Sequence, residues 1–232
     1  FTILTVRGGD AVTVGAADVS AQVEEYLEAI CRIQERGEAA TLTELARELA
    51  VAPPSALGML RRMSEQGLVT YDRRTGAVLT ARGQACAATL RRRHRLAECL
   101  LTDLLGMPWA RAHEIACRFE HVIDDEVEAY LLDALHHPAT CPHGNPLGGE
   151  SPALTPLTAA PLGEPATLRR ILNESAALLE YLHASGLRPG AVVTVHAAAP
   201  FDGPLTVDTG AERFALSREI AAHLLVEPGA RA

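Results

Sequence analysis

The nine residues HEIACRFEH, His113 to His121, set two histidines, two glutamates and a cysteine into an alanine-rich, apolar chain. Imidazole, thiolate and carboxylate donors together suit a first-row transition metal; Ca²⁺ and Mg²⁺ would prefer oxygens alone. At 100° per residue on a helix, His113, Cys117, Glu120 and His121 share one face within an arc of about 100°. Two further pairs stand at helical spacing. His94 and Glu98, four apart, can chelate one ion, and Glu25 and Glu28, three apart, are neighbours on another helix. Each has a plain alternative: histidines and free cysteines often fill cores, and on spacing alone Glu25 and Glu28 read as a solvated charged face. The clustering argues for ligands. HEIAC is not the zinc-protease pattern, which needs His where this chain has Cys117. With no glycine-rich phosphate loop and no nucleophile elbow, no catalytic residue is assigned and the chain is not read as an enzyme.

The elements that must position these residues follow from periodicity. Val23, Tyr26, Leu27, Ile30 and Ile33 recur at helical spacing up to Gly37. Thr41 or Thr43 can cap a short second helix with Leu45, Ala46 and Leu49 inward. After Val51-Ala52-Pro53-Pro54, SALGMLRRMSEQG predicts a third helix with proline in its first turn and Gly67 at its end. LVTYDRRTGAVLT reads as a hairpin, so the order is that of a winged helix-turn-helix. A longer helix is expected over roughly Ala81 to Leu105, another from Trp109 through HEIACRFEH, and a third capped by Asp124-Asp125. The Pro, Gly and Thr content of HPATCPHGNPLGGESPALTP marks a linker. Beyond it, TLRRILNESAALLEYLHASGLRPG offers a helical segment, then AVVTVHA, GPLTVDTG and ERFALS are strand-like.

The 232 residues carry a net charge of −8, yet between 41 and 95 arginine dominates: Arg47, Arg61, Arg62, Arg73, Arg74, Arg82, Arg91, Arg92, Arg93 and Arg95 face only Glu44, Glu48, Glu65 and Asp72. A basic segment in an acidic chain suggests a face for a polyanion. On the winged-helix reading, the third helix enters the major groove of double-stranded DNA. Pro53, Pro54 and Ser55 then meet base edges, Arg61, Arg62, Arg73 and Arg74 meet phosphates, and Thr43 of the second helix joins the interface. Proline and alanine offer mostly apolar contact, so thymine methyls and DNA shape must share the readout. The five scattered cysteines fit reduced thiols. With no run of eighteen apolar residues and no signal-peptide pattern, no membrane partner is read and a cytoplasmic location is expected.

RRRHRLAECLLTDLLG, then HEIACRFEHVIDDEVEAYL and HGNPLGG, resemble in order and spacing the diphtheria toxin repressor family of metal-dependent transcription regulators, which includes iron-dependent and manganese transport regulators. The resemblance covers about Val19 to the C-terminus. It implies a mainly α fold with small β elements: a winged helix-turn-helix, a helical dimerisation and metal-binding domain, and a C-terminal SH3-like β-barrel. The domains are then a tail at 1–18, the DNA-binding domain at 19–85, the dimerisation domain at 86–142, a linker at 143–156 and the SH3-like, FeoA-like domain at 157–232. A homodimer binding palindromic operators when loaded with Mn(II) or Fe(II), two ions per subunit, is implied. By position, His94, Glu98 and His113 match the family's ancillary site, with Glu174 as the candidate from the SH3-like domain. Cys117, Glu120 and His121 match the primary site, completed by the first helix through Glu25 and Glu28. Iron-responsive members have Met where this chain has Glu25, and manganese-responsive ones usually have Glu where it has Cys117. Replacing a thioether by carboxylates hardens the site and favours Mn(II). Two other functions compete: a metallohydrolase using the same cluster, which leaves the basic segment unexplained, and a DNA-binding regulator without metal response.

Overall fold

The computed structural model describes residues 19–148 and 153–229; the tail read at 1–18 and part of the linker lie outside the described residues. The chain divides into two compact units, residues 1–89 and 90–232.

In the first unit α1, Ala21–Glu35, is amphipathic: Val23, Tyr26, Leu27, Ile30 and Ile33 are buried. Burying each of these large apolar side chains is worth about 1.5–3 kcal/mol. Of the two threonines that can cap α2, Leu42–Glu48, Thr41 does so, accepting from the Glu44 amide at 3.3 Å. Thr43 is exposed. Helix α3, Pro53–Glu65, has both prolines in its first turn, where backbone amides have no intrahelical partner to lose. Its buried side is Ala56, Met59, Leu60 and Met63. Strands β1, Val69–Asp72, and β2, Gly76–Leu79, pair antiparallel, with Asp72 opposite Gly76. At the tip, Asp72 Oδ1 accepts from the amides of Arg74 at 2.8 Å and Thr75 at 3.1 Å, which leaves Arg73 and Arg74 pointing outward.

Helix α4 runs Ala81–Cys99 and widens into one π turn over Leu100–Leu104, so the single helix expected to Leu105 changes pitch before it ends. Helix α5, Trp109–Phe119, follows Gly106 and Pro108. Helix α6, Asp125–Ala134, is capped by Asp124, whose side chain accepts from the Val127 amide at 2.8 Å. Part of the arginine excess is satisfied inside this unit. Arg93, 5% exposed, bonds Glu128 and Asp125, and Arg92 also pairs with Glu128. Buried Arg93 is therefore withdrawn from the polyanion face, while Arg92 stays exposed.

The C-terminal part is a six-stranded antiparallel sheet in the order β3-β8-β4-β5-β6-β7: β3 Thr155–Pro156, β4 Pro165–Ile171, β5 Val192–Ala198, β6 Leu205–Asp208, β7 Arg213–Leu216 and β8 Leu224–Pro228. Helices α7, Ala176–Ala184, and α8, Arg218–Ala222, pack on it. TLRRIL, expected as helix, is strand β4. Ala166, Leu168 and Ile171 reach the core because a bulge between Leu168 and Arg170 shifts the alternation by one, which disguises a strand as a 3–4 periodicity. Among the described residues no helix is long and apolar enough to cross a membrane.

Gly83, in the first turn of α4, is buried, and a Cβ there would overlap the Leu68 carbonyl oxygen. Gly83→Ala should cost about 1–3 kcal/mol of stability by overpacking, read as a lowered denaturation midpoint. Gln84→Ala, one residue on and exposed, should stay within about 0.5 kcal/mol.

Candidate metal centre

Helix α4 contributes His94 and Glu98 one turn apart, both inward, with Glu98 fully buried. His94 bridges two groups of partners. Its Nδ1 lies 2.6 Å from Glu120 Oε2, while its Nε2 lies 3.0 Å from both Glu98 Oε1 and His113 Nδ1. His113, one turn before Cys117 on α5, also approaches Glu98 Oε1 and Glu174 Oε2 at 3.2 Å each, with its Nε2 3.9 Å from the Cys117 sulfur. The shared helical face predicted for His113 to His121 is interrupted. Helix α5 stops at Phe119, and Glu120–Val122 is a single 3₁₀ turn, which carries Glu120 inward to His94 and 3.7 Å from His121 Nε2.

Sequence reasoning missed Cys141 and His143. Both are buried, and His143 Nδ1 stands 3.1 Å from Glu98 Oε1 and 3.5 Å from Glu174 Oε1, with the Cys141 sulfur 4.0 Å away. His143 Nε2 meets the Trp109 carbonyl at 3.0 Å. A carbonyl only accepts, so Nε2 carries the hydrogen and Nδ1 turns to the cluster. His143 and Asn145 fall in the stretch read as linker, whose Pro and Gly content hid a Cys-x-His pair at chelating distance. Gly144 permits the packing: its φ is +82°, and a Cβ there would overlap the Arg169 carbonyl of β4. The loop is pinned to β4 by the Ile171 amide donating to the His143 carbonyl at 2.9 Å.

Among the described residues three sets of donor atoms each lie within 4.8 Å of one another: His94, His113 and Cys117; His94, Glu98, His113 and Glu174; and Glu98, Cys141, His143 and Glu174. Of the second-unit residues expected from sequence, His94, Glu98, His113, Cys117 and Glu174 stand in these sets; Glu120 lies outside them, 2.6 Å from His94, and His121 Nε2 is 3.7 Å from Glu120. Glu25 and Glu28 belong to α1 in the first unit, where Glu25 is exposed and Glu28 pairs with Arg32 at 3.5 Å.

The donor set fits a divalent transition ion on an observation independent of type. Glu98 Oε2 and Glu120 Oε1 are buried side-chain oxygens without a hydrogen bond. A buried carboxylate oxygen left this way is costly unless a cation faces it. The histidines supply positive charge meanwhile. Burial opposes charging His113, but the hydrogen bonds its ring makes to Cys117, Glu174 and Glu98 outweigh it and push the ring up to about 11; His94 and His143 are raised against burial in the same way. Glu98 is held well below the usual carboxylate range by His113, His143 and His94 despite its burial. Burial raises the Cys117 thiol, yet His113 and His94 bring it down to about 7, whereas burial drives Cys141 up.

Comparison with known proteins accounts for this arrangement. Residues 18–77 match the model of the iron dependent repressor N-terminal DNA binding domain, 80–147 its metal binding and dimerisation domain, and 155–228 the FeoA domain. The iron-dependent repressor IdeR of Mycobacterium tuberculosis is 34% identical over 221 residues, 88% of this chain and 96% of that protein. The chain belongs to the iron-dependent repressor family. Its fold is therefore the family's, with the C-terminal sheet as the SH3-like FeoA domain. The diphtheria toxin repressor of Corynebacterium diphtheriae is 36% identical over 132 residues, 57% of this chain and 58% of that one. Among solved structures, a manganese-dependent transcriptional repressor in complex with manganese superposes with a TM-score of 0.78 at 28% identity, covering 89% of this chain and all of that one. ScaR with bound Zn²⁺ superposes at 0.74 and 28% identity, covering 88% of this chain and 98% of that one.

Ring nitrogens must be neutral and sulfur ionised to bind a metal, so uptake through His94, His113, His143 or Cys117 would expel protons. Mn(II) affinity should rise with pH as Cys117, at about 7, and His113, at about 11, give up their protons, with calorimetric heats that depend on the buffer's ionisation enthalpy. Heats independent of buffer would remove these rings from the site. For the metal-free protein the sign is opposite: His113, raised from 6.5 to about 11, stabilises the fold fully below 6.5 and progressively less as pH rises toward about 11.

Proposed function

We propose that this repressor-family member is a homodimer that binds a palindromic operator when loaded with Mn(II), with Fe(II) also accepted, at two ions per subunit. The observation that carries the reading is the pair of buried carboxylate oxygens without a hydrogen bond, Glu98 Oε2 and Glu120 Oε1, set among histidines in a chain that also bears a DNA-binding domain. The ancillary ion would be held by His94, Glu98, His113 and Glu174. Cys141 and His143 offer a further set that shares both carboxylates, so the two sets compete for one ion or divide Glu98 and Glu174 between them. The primary ion would be held by Cys117, Glu120 and His121, with Glu25 and Glu28 assigned on the family resemblance. When bound, a divalent ion supplies the positive charge these carboxylates lack and replaces the protons the imidazoles carry.

The remaining residues do the DNA work. Thr43, Pro53, Pro54, Ser55, Arg61, Arg62, Arg73 and Arg74 are all exposed, as an interface requires. The head of α3 presents Pro53, Pro54 and Ser55 to base edges, and the arginines of α3 and the hairpin tip neutralise phosphates. Exposed Leu104, Leu105, Phe119, Val122, Val127 and Tyr130 all fall in the segment matched by the metal binding and dimerisation model, which favours a second copy as their cover. Metal and operator then strengthen each other's binding by the same factor, because the coupling is reciprocal. A hydrolase built on the same cluster gives the arginine-tipped hairpin nothing to do.

Titration of a palindromic operator with Mn(II), Fe(II), Zn(II) or chelator should give tighter binding with Mn(II) and Fe(II) than with chelator. Equal affinity in all arms would leave a regulator without metal response. Removing Arg73 and Arg74 should weaken binding to every sequence alike and flatten the salt dependence by about one for each phosphate left without its arginine. Glu25→Ala should uncouple DNA affinity from Mn(II); an undiminished metal response in that variant would take α1 out of the site.

A further inference from the structure

Glu174 is the carboxylate that the FeoA domain brings to the cluster, and nothing in its own helix holds it: it precedes Ser175, the N-cap of α7. Its side chain is anchored from elsewhere. Asn145, 6% exposed, donates through its amide nitrogen to Glu174 Oε1 at 2.5 Å and to the Ile171 carbonyl at 3.3 Å. The orientation of that amide is fixed by a third residue, since Arg170 Nε donates to Asn145 Oδ1 at 2.6 Å. A guanidinium has no acceptor, so the amide oxygen must face Arg170 and the nitrogen must face Glu174.

The backbone beneath is equally constrained. The Cys141 amide donates to the Asn145 carbonyl at 2.9 Å, and the Gly144 amide to the Cys141 carbonyl at 2.8 Å. With Oε1 taken by Asn145 on the side of His143, Glu174 Oε2 is left toward His113 at 3.2 Å. The two oxygens of one carboxylate are thereby assigned to the two donor sets that share it. Released from Asn145, a glutamate preceding a helix would regain its rotamer freedom, and each binding event would have to order it again.

We infer that Arg170 and Asn145 are positioning residues of the metal centre: Arg170 orients the Asn145 amide, and that amide presents Glu174 with Oε2 free for the His94, Glu98 and His113 set. This rests on the proposed reading of Glu174 as a ligand. Groups that orient ligands in this way typically change metal affinity about 10–100-fold when removed.

The test is calorimetric Mn(II) binding to the full chain for wild type, Glu174→Gln, Asn145→Ala, Arg170→Met, Arg170→Lys and the Asn145→Ala/Arg170→Met double variant. Denaturation curves of the chelated proteins run alongside. Expected is a loss of about 10–100-fold at one of the two ions for Asn145→Ala and Arg170→Met, with the other ion unaffected. The double variant should bind no more weakly than Asn145→Ala alone, because both act through one amide. Arg170→Lys, which can still donate to Oδ1, should recover part of the loss. Wild-type affinity in Arg170→Met, or losses that simply add in the double variant, would overturn the inference. If Glu174→Gln weakens binding while Arg170→Met does not, Glu174 stands as a ligand and only the positioning role falls. Unchanged affinity in Glu174→Gln removes the ligand itself, and the inference with it. A general loss of fold in Arg170→Met would show equally at both ions and without recovery by lysine, and would count against it.

Discussion

The arrangement in the second unit turns on one buried carboxylate. Glu98 has no exposed surface, and one of its oxygens faces His94, His113 and His143 within 3.2 Å while the other has no hydrogen-bond partner. An ionised group in such a place needs N–H donors and nearby positive charge, and the three imidazoles, each shifted toward its charged form, supply them. The same interaction therefore stabilises the metal-free fold and sets the pH dependence of metal uptake. A fold that satisfied Glu98 fully with amide donors would keep its stability and lose its reason to bind a cation.

Bringing three histidines to one carboxylate dictates what surrounds it. Helix α4 can supply only His94 from one turn away, so α5 must cross beside it with His113, and the loop at 141–146 must return with His143. That loop is closed by its own backbone bonds, from the Cys141 amide to the Asn145 carbonyl and from the Gly144 amide to the Cys141 carbonyl. It is held by β4, through the close approach that only glycine at 144 allows and through the Arg170 and Asn145 side chains. The bulge in β4 lies at the same residues, which suits a strand bent to receive a loop. Sheet, loop and helices thus meet at one point, where Glu174 of the FeoA domain stands against His113 and His143.

How much of this could be read in the sequence depended on whether a signal was local. The winged-helix elements, the Asp124 cap and the His94 and Glu98 pair were legible because helical spacing and capping act within a few residues, whereas the grouping of His113 with that pair came from resemblance. Glu174 lies far along the chain from the other donors, with no spacing to tie it to them, and came from resemblance. Three features were hidden for physical reasons. The bulge turned the period of β4 into something helical, so TLRRIL looked like part of the following helix. The 3₁₀ turn at Glu120 changes the angular step between donors that a helical wheel assumes to be constant. The Pro and Gly of CPHGNP imitated a linker, although they serve a tight loop whose every second residue is buried.

The donors themselves bear on which ion the centre prefers. Of the two cysteines near the cluster, burial pushes Cys141 up while His113 and His94 bring Cys117 down to about 7. Only Cys117 is near ionisation before a metal arrives, so a soft thiolate is available at one end of the network alone. At the other end Glu98 and Glu174 supply oxygen and His94, His113 and His143 supply nitrogen, a borderline-hard set that suits Mn(II) or Fe(II) better than a thiol-seeking ion. Zinc and copper still bind such ligands more tightly by intrinsic order, so discrimination cannot come from affinity alone. Coordination geometry, ligand type and metal supply must share in it, and on the proposed reading the groups that aim Glu174 contribute to that geometry.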